Sequence, residues 1–132
     1  MRALILAALL AASPARAALY DDLGGRPSIE RITSGLLRRS YTDPRIASTF
    51  DEADRERLHV LLVAYLCQVS DGPCRYPGRS MHAAHKGLGL RPRHMNALVE
   101  NLQDAMDEAG VPFATQNRLL ARLAPSSTEI IE

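Results

Sequence analysis

The residues of this sequence with the clearest capacity for chemistry are its four histidines, at positions 59, 82, 85 and 94. His85 follows Met81 by four residues, so on a short helical segment both side chains project from one face. A neutral imidazole held in a fixed orientation beside an apolar slot is the usual protein ligand of a five-coordinate haem iron. His85 is therefore a candidate axial ligand, although on spacing alone such a histidine is more often a packed or surface residue.

A different metal site is also possible on spacing. His82 and His85 are three residues apart and could share a divalent metal with a third ligand such as His94, as in a small hydrolase. No His-Glu-x-x-His and no paired cysteine motif supports this hypothesis. The Cys-x-x-Cys-His signature of covalent haem attachment is absent, so any haem here is expected to be bound non-covalently.

Helices are predicted to position these histidines, because apolar residues recur three or four apart in four long segments. These segments are broken or closed by Thr42-Asp43-Pro44, by Ser70-Asp71-Gly72-Pro73, by Gly110 and by Pro125. The segment from Ser80 to Lys86 can form only about two helical turns before Gly87. No alternating strand pattern occurs in the sequence, which predicts an all-α domain with a frayed tail ending at Glu132.

Residues 1–17 have the layout of a signal peptide. Met1-Arg2 is a short positive region, residues 3–12 are apolar, and Ala15-Arg16-Ala17 is a small-residue cleavage site. Ten apolar residues are too few to span a bilayer. We expect export to the periplasm or secretion, with no stable membrane anchor after cleavage, and a retained interfacial anchor is the alternative.

The remaining residues, 18–132, are expected to form one domain with a core from about 19 to 124. Lys and Arg fall from 16 to 14 as Arg2 and Arg16 are removed, against 15 Asp and Glu, so a nucleic-acid partner is not expected. Cys67 and Cys74 would meet an oxidising compartment, and we predict a disulfide between them. Two buried free thiols are the open alternative, because seven residues across a helix end need not bring the Cα atoms within range.

From Leu19 to about Ala124 the chain resembles the group I truncated haemoglobins. The stretches that carry the resemblance are Leu19-Tyr20-Asp21-Asp22-Leu23-Gly24-Gly25, Asp43-Pro44-Arg45-Ile46 before Phe50, Asp71-Gly72-Pro73, Tyr76-Pro77-Gly78-Arg79-Ser80-Met81, and Ala84-His85-Lys86-Gly87-Leu88-Gly89-Leu90 with His94. The resemblance implies a truncated globin fold, a two-over-two helical sandwich around one b-type haem per chain. It places His85 at the proximal position as the iron ligand and gives His94 no ligand role. The further residues that it places at or near the haem are Phe50, Met81, Tyr76, Met95 and, beside a propionate, Arg79.

The distal side departs from the family pattern. Well-studied members hold bound oxygen with a tyrosine on the helix after the first Gly-Gly and with a glutamine or similar residue on the next helix. Here the first position is Leu37, and the second-helix positions are Leu58 and Leu62. The distal side is therefore expected to be apolar, and the family's nitric-oxide-dioxygenase chemistry does not simply carry over.

The resemblance favours a haem protein that reversibly binds a diatomic gas, namely oxygen, carbon monoxide or nitric oxide, or that passes single electrons to a partner. Enzymatic activity is not expected beyond haem-based redox or nitric-oxide-dioxygenase-type activity. The alternative is a haem-free helical module that keeps the globin fold and binds a protein partner. That alternative requires side chains to fill the face beside Met81 and His85.

Overall fold

The computed structural model describes residues 18–132, in which the chain is helical and has no strand. The predicted signal peptide lies outside the described residues. The α-helices are α1 (Leu19–Asp22), α2 (Gly25–Thr42), α3 (Arg55–Val69), α4 (Met81–His85), α5 (Pro92–Glu108), α6 (Phe113–Leu123) and α7 (Ser127–Ile130). Two 3₁₀ helices, Ala47–Phe50 and Ala124–Ser126, lie between α2 and α3 and between α6 and α7. No helix within 18–132 has the length and hydropathy needed to cross a membrane.

The core lies where α2 packs against α5 and α3, with α6 closing it against α1, α3 and α5. Gly35 allows α2 and α5 to approach closely, because a Cβ atom there would lie 3.2 Å from the Cβ atom of Ala105. Burial of this apolar surface is the main force that holds the long helices in place. The core residues are Leu19, Leu23, Ile29, Ile32, Leu36, Val63, Leu66, Cys67, Leu102, Ala105, Met106, Val111 and Leu119.

Side-chain caps determine where two of the helices begin. The carboxylate of Asp54 accepts a hydrogen bond from the backbone N–H of Arg57 at 3.1 Å, so Asp54 caps α3, which begins at Arg55. The hydroxyl of Ser80 accepts from the backbone N–H of Ala83 at 3.1 Å and caps α4. These caps satisfy N–H groups that a helix start leaves without partners.

The predicted disulfide is present, with the Cα atoms of Cys67 and Cys74 6.1 Å apart. It joins the end of α3 to the loop that leads toward α4. A close turn makes this possible, because the N–H of Gly72 donates to the carbonyl of Cys67 at 2.8 Å. A Cβ atom at Gly72 would lie 2.5 Å from the Tyr20 ring and 2.6 Å from the Cys67 sulfur, so only glycine fits at this bend.

The prediction of a frayed tail is wrong. The chain after Pro125 forms α7, and the hydroxyls of Ser126 and Tyr65 are hydrogen-bonded at 2.6 Å. The backbone N–H of Glu132 donates to the carbonyl of Leu90 at 2.9 Å. The tail is therefore ordered by contacts with α3 and with the loop after α4, which local sequence pattern does not report.

Candidate functional site

An apolar cavity lies beside α4 and is lined by residues from most parts of the fold. α2, α3 and α5 form its long walls, while α4, the loop after it and the tail complete it. The lining residues are Leu36, Leu37, Ile46, Thr49, Phe50, Leu58, Leu62, His85, Leu90, Arg91, His94, Met95, Leu98, Ile130 and Ile131. Six residues proposed for the site from the sequence are in this lining, namely His85, Phe50, Met95, Leu37, Leu58 and Leu62.

His85 is the last residue of α4 and its ring is oriented by the backbone of its own helix. Its Nδ1 atom lies 2.7 Å from the carbonyl oxygen of Met81. Because a carbonyl oxygen can only accept, Nδ1 carries the proton and donates, and the lone pair of Nε2 is left free. In histidines that ligate a metal, a hydrogen bond from the other ring nitrogen fixes the tautomer and the orientation of the ring. The bond from Nδ1 of His85 to Met81 does the same here.

His94 also lines the cavity, but its lone pair is used differently. The Nδ1 atom of His94 accepts a hydrogen bond from the backbone N–H of Arg91 at 2.8 Å and so caps the start of α5. In a neutral ring the proton is then on Nε2, which can donate but cannot ligate a metal. The geometry agrees with a packing or hydrogen-bonding role and sets His94 apart from His85.

The distal wall consists of Leu37 from α2 and of Leu58 and Leu62 from α3, with Phe50 beside them. None of these four side chains carries a hydrogen-bond donor. Leu37 is only 5% exposed, so its side chain is held in place by the surrounding helices.

Two polar residues close to the distal wall in sequence do not line the cavity. The Tyr41 ring packs edge-on against Phe50 with centroids 5.4 Å apart, and the Arg55 guanidinium lies 4.1 Å above it. The Tyr41 hydroxyl is buried without a hydrogen-bond partner among the described residues, and burial raises its pKa, with Arg55 opposing the shift. His59 lines a separate open groove beside α2 and α5, together with Arg31 and Glu108.

Three residues that the family resemblance places near the haem lie outside the cavity lining. Tyr76 packs on Tyr65 with ring centroids 5.3 Å apart, and its backbone N–H donates to Gln68 at 2.7 Å. The guanidinium of Arg79 donates to the carbonyl of Ala83 at 3.4 Å. Met81 contributes its carbonyl group to the site by accepting from His85, whereas its side chain is not part of the lining.

Sequence reasoning missed several lining residues. Leu36 directly precedes Leu37 in α2, and Leu98 lies three residues after Met95 in α5. Both belong to the apolar faces of their helices, so helical periodicity could have indicated them. Arg91 precedes the helix-starting Pro92, and no local signal distinguishes it from other arginines. The isoleucines at 130 and 131 reach the cavity only through the folded tail.

An ion pair between Asp43 and the half-exposed Arg45 supports the wall that carries Phe50. The carboxylate of Asp43, at the end of α2, has 9% of its side chain exposed and accepts from Arg45 at 2.8 Å and from Asn101 of α5 at 3.0 Å. Arg45 also pairs with Glu100 of α5 at 2.5 Å. The Arg45 hydrogen bonds hold the pKa of the Asp43 carboxyl well below its usual range, so it stays charged. This cluster ties the turn before Phe50 to α5.

The donor set fits a haem better than a metal ion bound by side chains alone. A b-type haem needs one imidazole with a free nitrogen, an apolar slot and cations for its propionates. His85, the leucine-rich walls and Arg91 supply these features. Within the described part of the chain, no three His, Cys, Asp or Glu side chains come together in a way that could hold a metal ion, so the site proposed from His82, His85 and His94 is not formed.

A helical domain in which one oriented imidazole faces an apolar cavity is the arrangement of a globin. The chain belongs to the bacterial-like globin family, whose model matches residues 18–131. It is 39% identical over 105 residues to a group 1 truncated haemoglobin of Nostoc sp., covering 80% of this chain and 89% of that one. It is 31% identical over 126 residues to a group 1 truncated haemoglobin of Mycolicibacterium paratuberculosis, covering 96% and 91%.

Solved structures confirm the predicted truncated two-over-two globin fold. The Fe(III) form of truncated haemoglobin from Tetrahymena pyriformis superposes with a TM-score of 0.84 at 25% identity, over 87% of this chain and 98% of that one. The two-over-two haemoglobin of Synechococcus sp., solved in the cyanomet state with covalently attached haem, gives a TM-score of 0.81 at 24% identity, over 87% and 98%. The resemblance to group I truncated haemoglobins that the sequence indicated is likewise confirmed.

Proposed function

We propose that this globin binds one haem b non-covalently through His85 and uses it to bind a diatomic gas reversibly. The observation that carries the proposal is the orientation of His85, whose Nδ1 donates to Met81 at 2.7 Å and leaves Nε2 free beside an apolar cavity. When bound, the haem would supply an iron centre able to bind oxygen, carbon monoxide or nitric oxide.

The chain's own residues then determine how the cofactor is held and what surrounds the gas. His85 would supply the nitrogen that binds the iron, and Arg91 replaces Arg79 as the proposed partner of a propionate, because Arg91 lines the cavity. Leu37, Leu58 and Leu62 make the distal side apolar, and their side chains offer no hydrogen-bond donor there. This apolar wall favours gas binding or single-electron transfer to a partner over the dioxygenase chemistry of relatives with polar distal residues.

We further propose that the protein works outside the cytoplasm, in the periplasm or after secretion. Residues 1–17 have the composition of a cleaved signal peptide. The Cys67–Cys74 disulfide supports this proposal, because disulfides persist in oxidising compartments and are rare in the cytosol.

Absorption spectra of the purified full-length product in its ferric, ferrous and carbon-monoxide forms test the proposed function. We expect a Soret band with one haem per chain, a five-coordinate histidine-ligated ferrous form, and haem that passes into the organic phase on acid extraction. A protein that takes up no haem when titrated with hemin would instead be the haem-free interaction module. Haem that stays with the protein on acid extraction would contradict non-covalent binding.

A further inference from the structure

The residues from Ser127 to Glu132, which we name the C-terminal strap, connect the two sides of the cavity. Just before the strap, Ser126 is hydrogen-bonded to Tyr65 of α3 at 2.6 Å. Within it, Ile130 and Ile131 line the cavity. At its end, Glu132 forms hydrogen bonds with the loop that follows His85. The strap is thus a wall of the site that is attached to α3 at one end and to the proximal loop at the other.

The carboxylate of Glu132 makes two hydrogen bonds to the proximal loop, accepting from the backbone N–H groups of Gly87 and Gly89, each at 2.7 Å. Both glycines have left-handed backbone conformations, with φ of 83° and 65°, so these amides lie outside any regular helical ladder. The backbone N–H of Glu132 adds a third bond, to the carbonyl of Leu90 at 2.9 Å. The amides of Gly87 and Gly89 hold the pKa of the Glu132 carboxyl below its ordinary value, so the group is charged at neutral pH.

The proximal helix has few other means of support. α4 is five residues long and has no residue in the buried class. Its first turn is held by the Ser80 cap, while its last residue is His85 itself, two positions before Gly87. A single helical turn of this length is not stable by itself in water. The orientation of His85 therefore depends on what holds the loop at the end of α4.

We propose that Glu132 is a positioning residue for the proximal histidine and that the C-terminal strap retains haem by holding the loop after His85 against the cavity. This inference rests on the proposed haem-binding function. Glu132 acts through the amides of Gly87 and Gly89 and touches no reacting group. Loss of the carboxylate charge weakens both bonds, which lets the loop and the Ile130–Ile131 wall open together.

Haem transfer from the ferric holoprotein to excess apomyoglobin tests retention, with Glu132→Gln as the variant and Glu129→Gln as the matched control. Glu129 lies in the same strap and is exposed, so the control removes the same charge without removing the bonds to the glycines. We expect Glu132→Gln to speed haem loss by about three- to tenfold, a modest factor because water screens an exposed carboxylate. Glu129→Gln is expected to stay within about twofold of the wild type.

Two further measurements separate positioning from general stability. In the ferrous holoprotein, the iron–histidine stretching band is expected to shift or broaden in Glu132→Gln and to be unchanged in Glu129→Gln. In the haem-free protein, hydrogen exchange at the Gly87 and Gly89 amides is expected to be faster in Glu132→Gln than in the control.

The inference is overturned if both variants lose haem at the same rate, or if Glu132→Gln leaves the stretching band unchanged. Should the wild type take up no haem, the proposed function fails, and the exchange measurement still decides the role of the strap. Unprotected Gly87 and Gly89 amides in the wild type would then show that Glu132 does not hold this loop.

Discussion

The distal wall of the cavity comes from two long helices, α2 with 18 residues and α3 with 15, whereas the proximal wall comes from the five-residue α4 and its loop. The distal leucines extend from helices whose other faces form the core, so apolar burial holds them in place. His85 is instead held by specific hydrogen bonds, from its ring to Met81 and from its loop to Glu132. Substitutions in the distal wall should therefore change the chemistry of the cavity, and substitutions on the proximal side should change whether the cofactor stays.

The largest effect is expected from His85→Ala, which removes the axial nitrogen. We expect the variant to lose its haem or to keep it only weakly, because the remaining contacts are apolar and Arg91 holds only the edge. Spectra and haem transfer to apomyoglobin measure this loss. His94→Ala is the control, since the lone pair of His94 caps α5, and it is expected to retain haem. A His85→Ala protein with a full haem complement and an unchanged spectrum, beside a His94→Ala protein without haem, would assign the ligand to His94.

A smaller effect is expected when a donor is placed in the distal wall by Leu37→Tyr. Oxygen held in the cavity carries partial negative charge, and a hydrogen bond to a charged group contributes about 1.5 to 3 kcal/mol. The variant should therefore release oxygen about ten- to a hundredfold more slowly in stopped-flow experiments on the ferrous protein, while carbon monoxide release changes far less.

Leu37→Phe is the control for this second experiment, because it introduces the ring without the hydroxyl. Its oxygen dissociation rate should stay close to that of the wild type. A different result would relocate the distal donor. This result would combine slow oxygen release from the wild type, no effect of Leu37→Tyr, and sharply faster release in Tyr41→Phe or His59→Ala. The residue whose replacement speeds release would then be the one that turns into the cavity.

The smallest effect is expected from reducing Cys67–Cys74, which connects the end of the distal helix α3 to the loop leading to the proximal helix. The bridge closes a short loop, with a sequence separation of 7, so its reduction should lower the free energy of unfolding by about 2 kcal/mol. Denaturant unfolding of the haem-free protein, before and after reduction with dithiothreitol, measures this difference in the free energy of unfolding without any change of sequence. Thiol counting on denatured, unreduced protein should find no free thiol, and two free thiols would contradict the bridge.

Much of this protein could be predicted from its sequence because the determining signals are local. The period of apolar residues and the breaks at proline and glycine predict the long helices, and the Asp54 and Ser80 caps act within three residues of their partners. The family resemblance identified the fold and pointed to His85. The presence of Leu37 where well-studied members have a tyrosine predicted an apolar distal wall.

Only the tertiary structure decided which further residues reach the cavity. Arg79 and Arg91 are both arginines near the proximal helix, and the turn of the chain, not the residue type, places Arg91 in the lining. Glu132 meets Gly87 across 45 residues of sequence, and Ser126 meets Tyr65 across 61. Such contacts form when separate elements pack together, and a polar or aliphatic residue in a tail gives no local sign of its partner. The tail therefore looked frayed in sequence and is ordered in the fold, because its hydrogen bonds are made by distant residues.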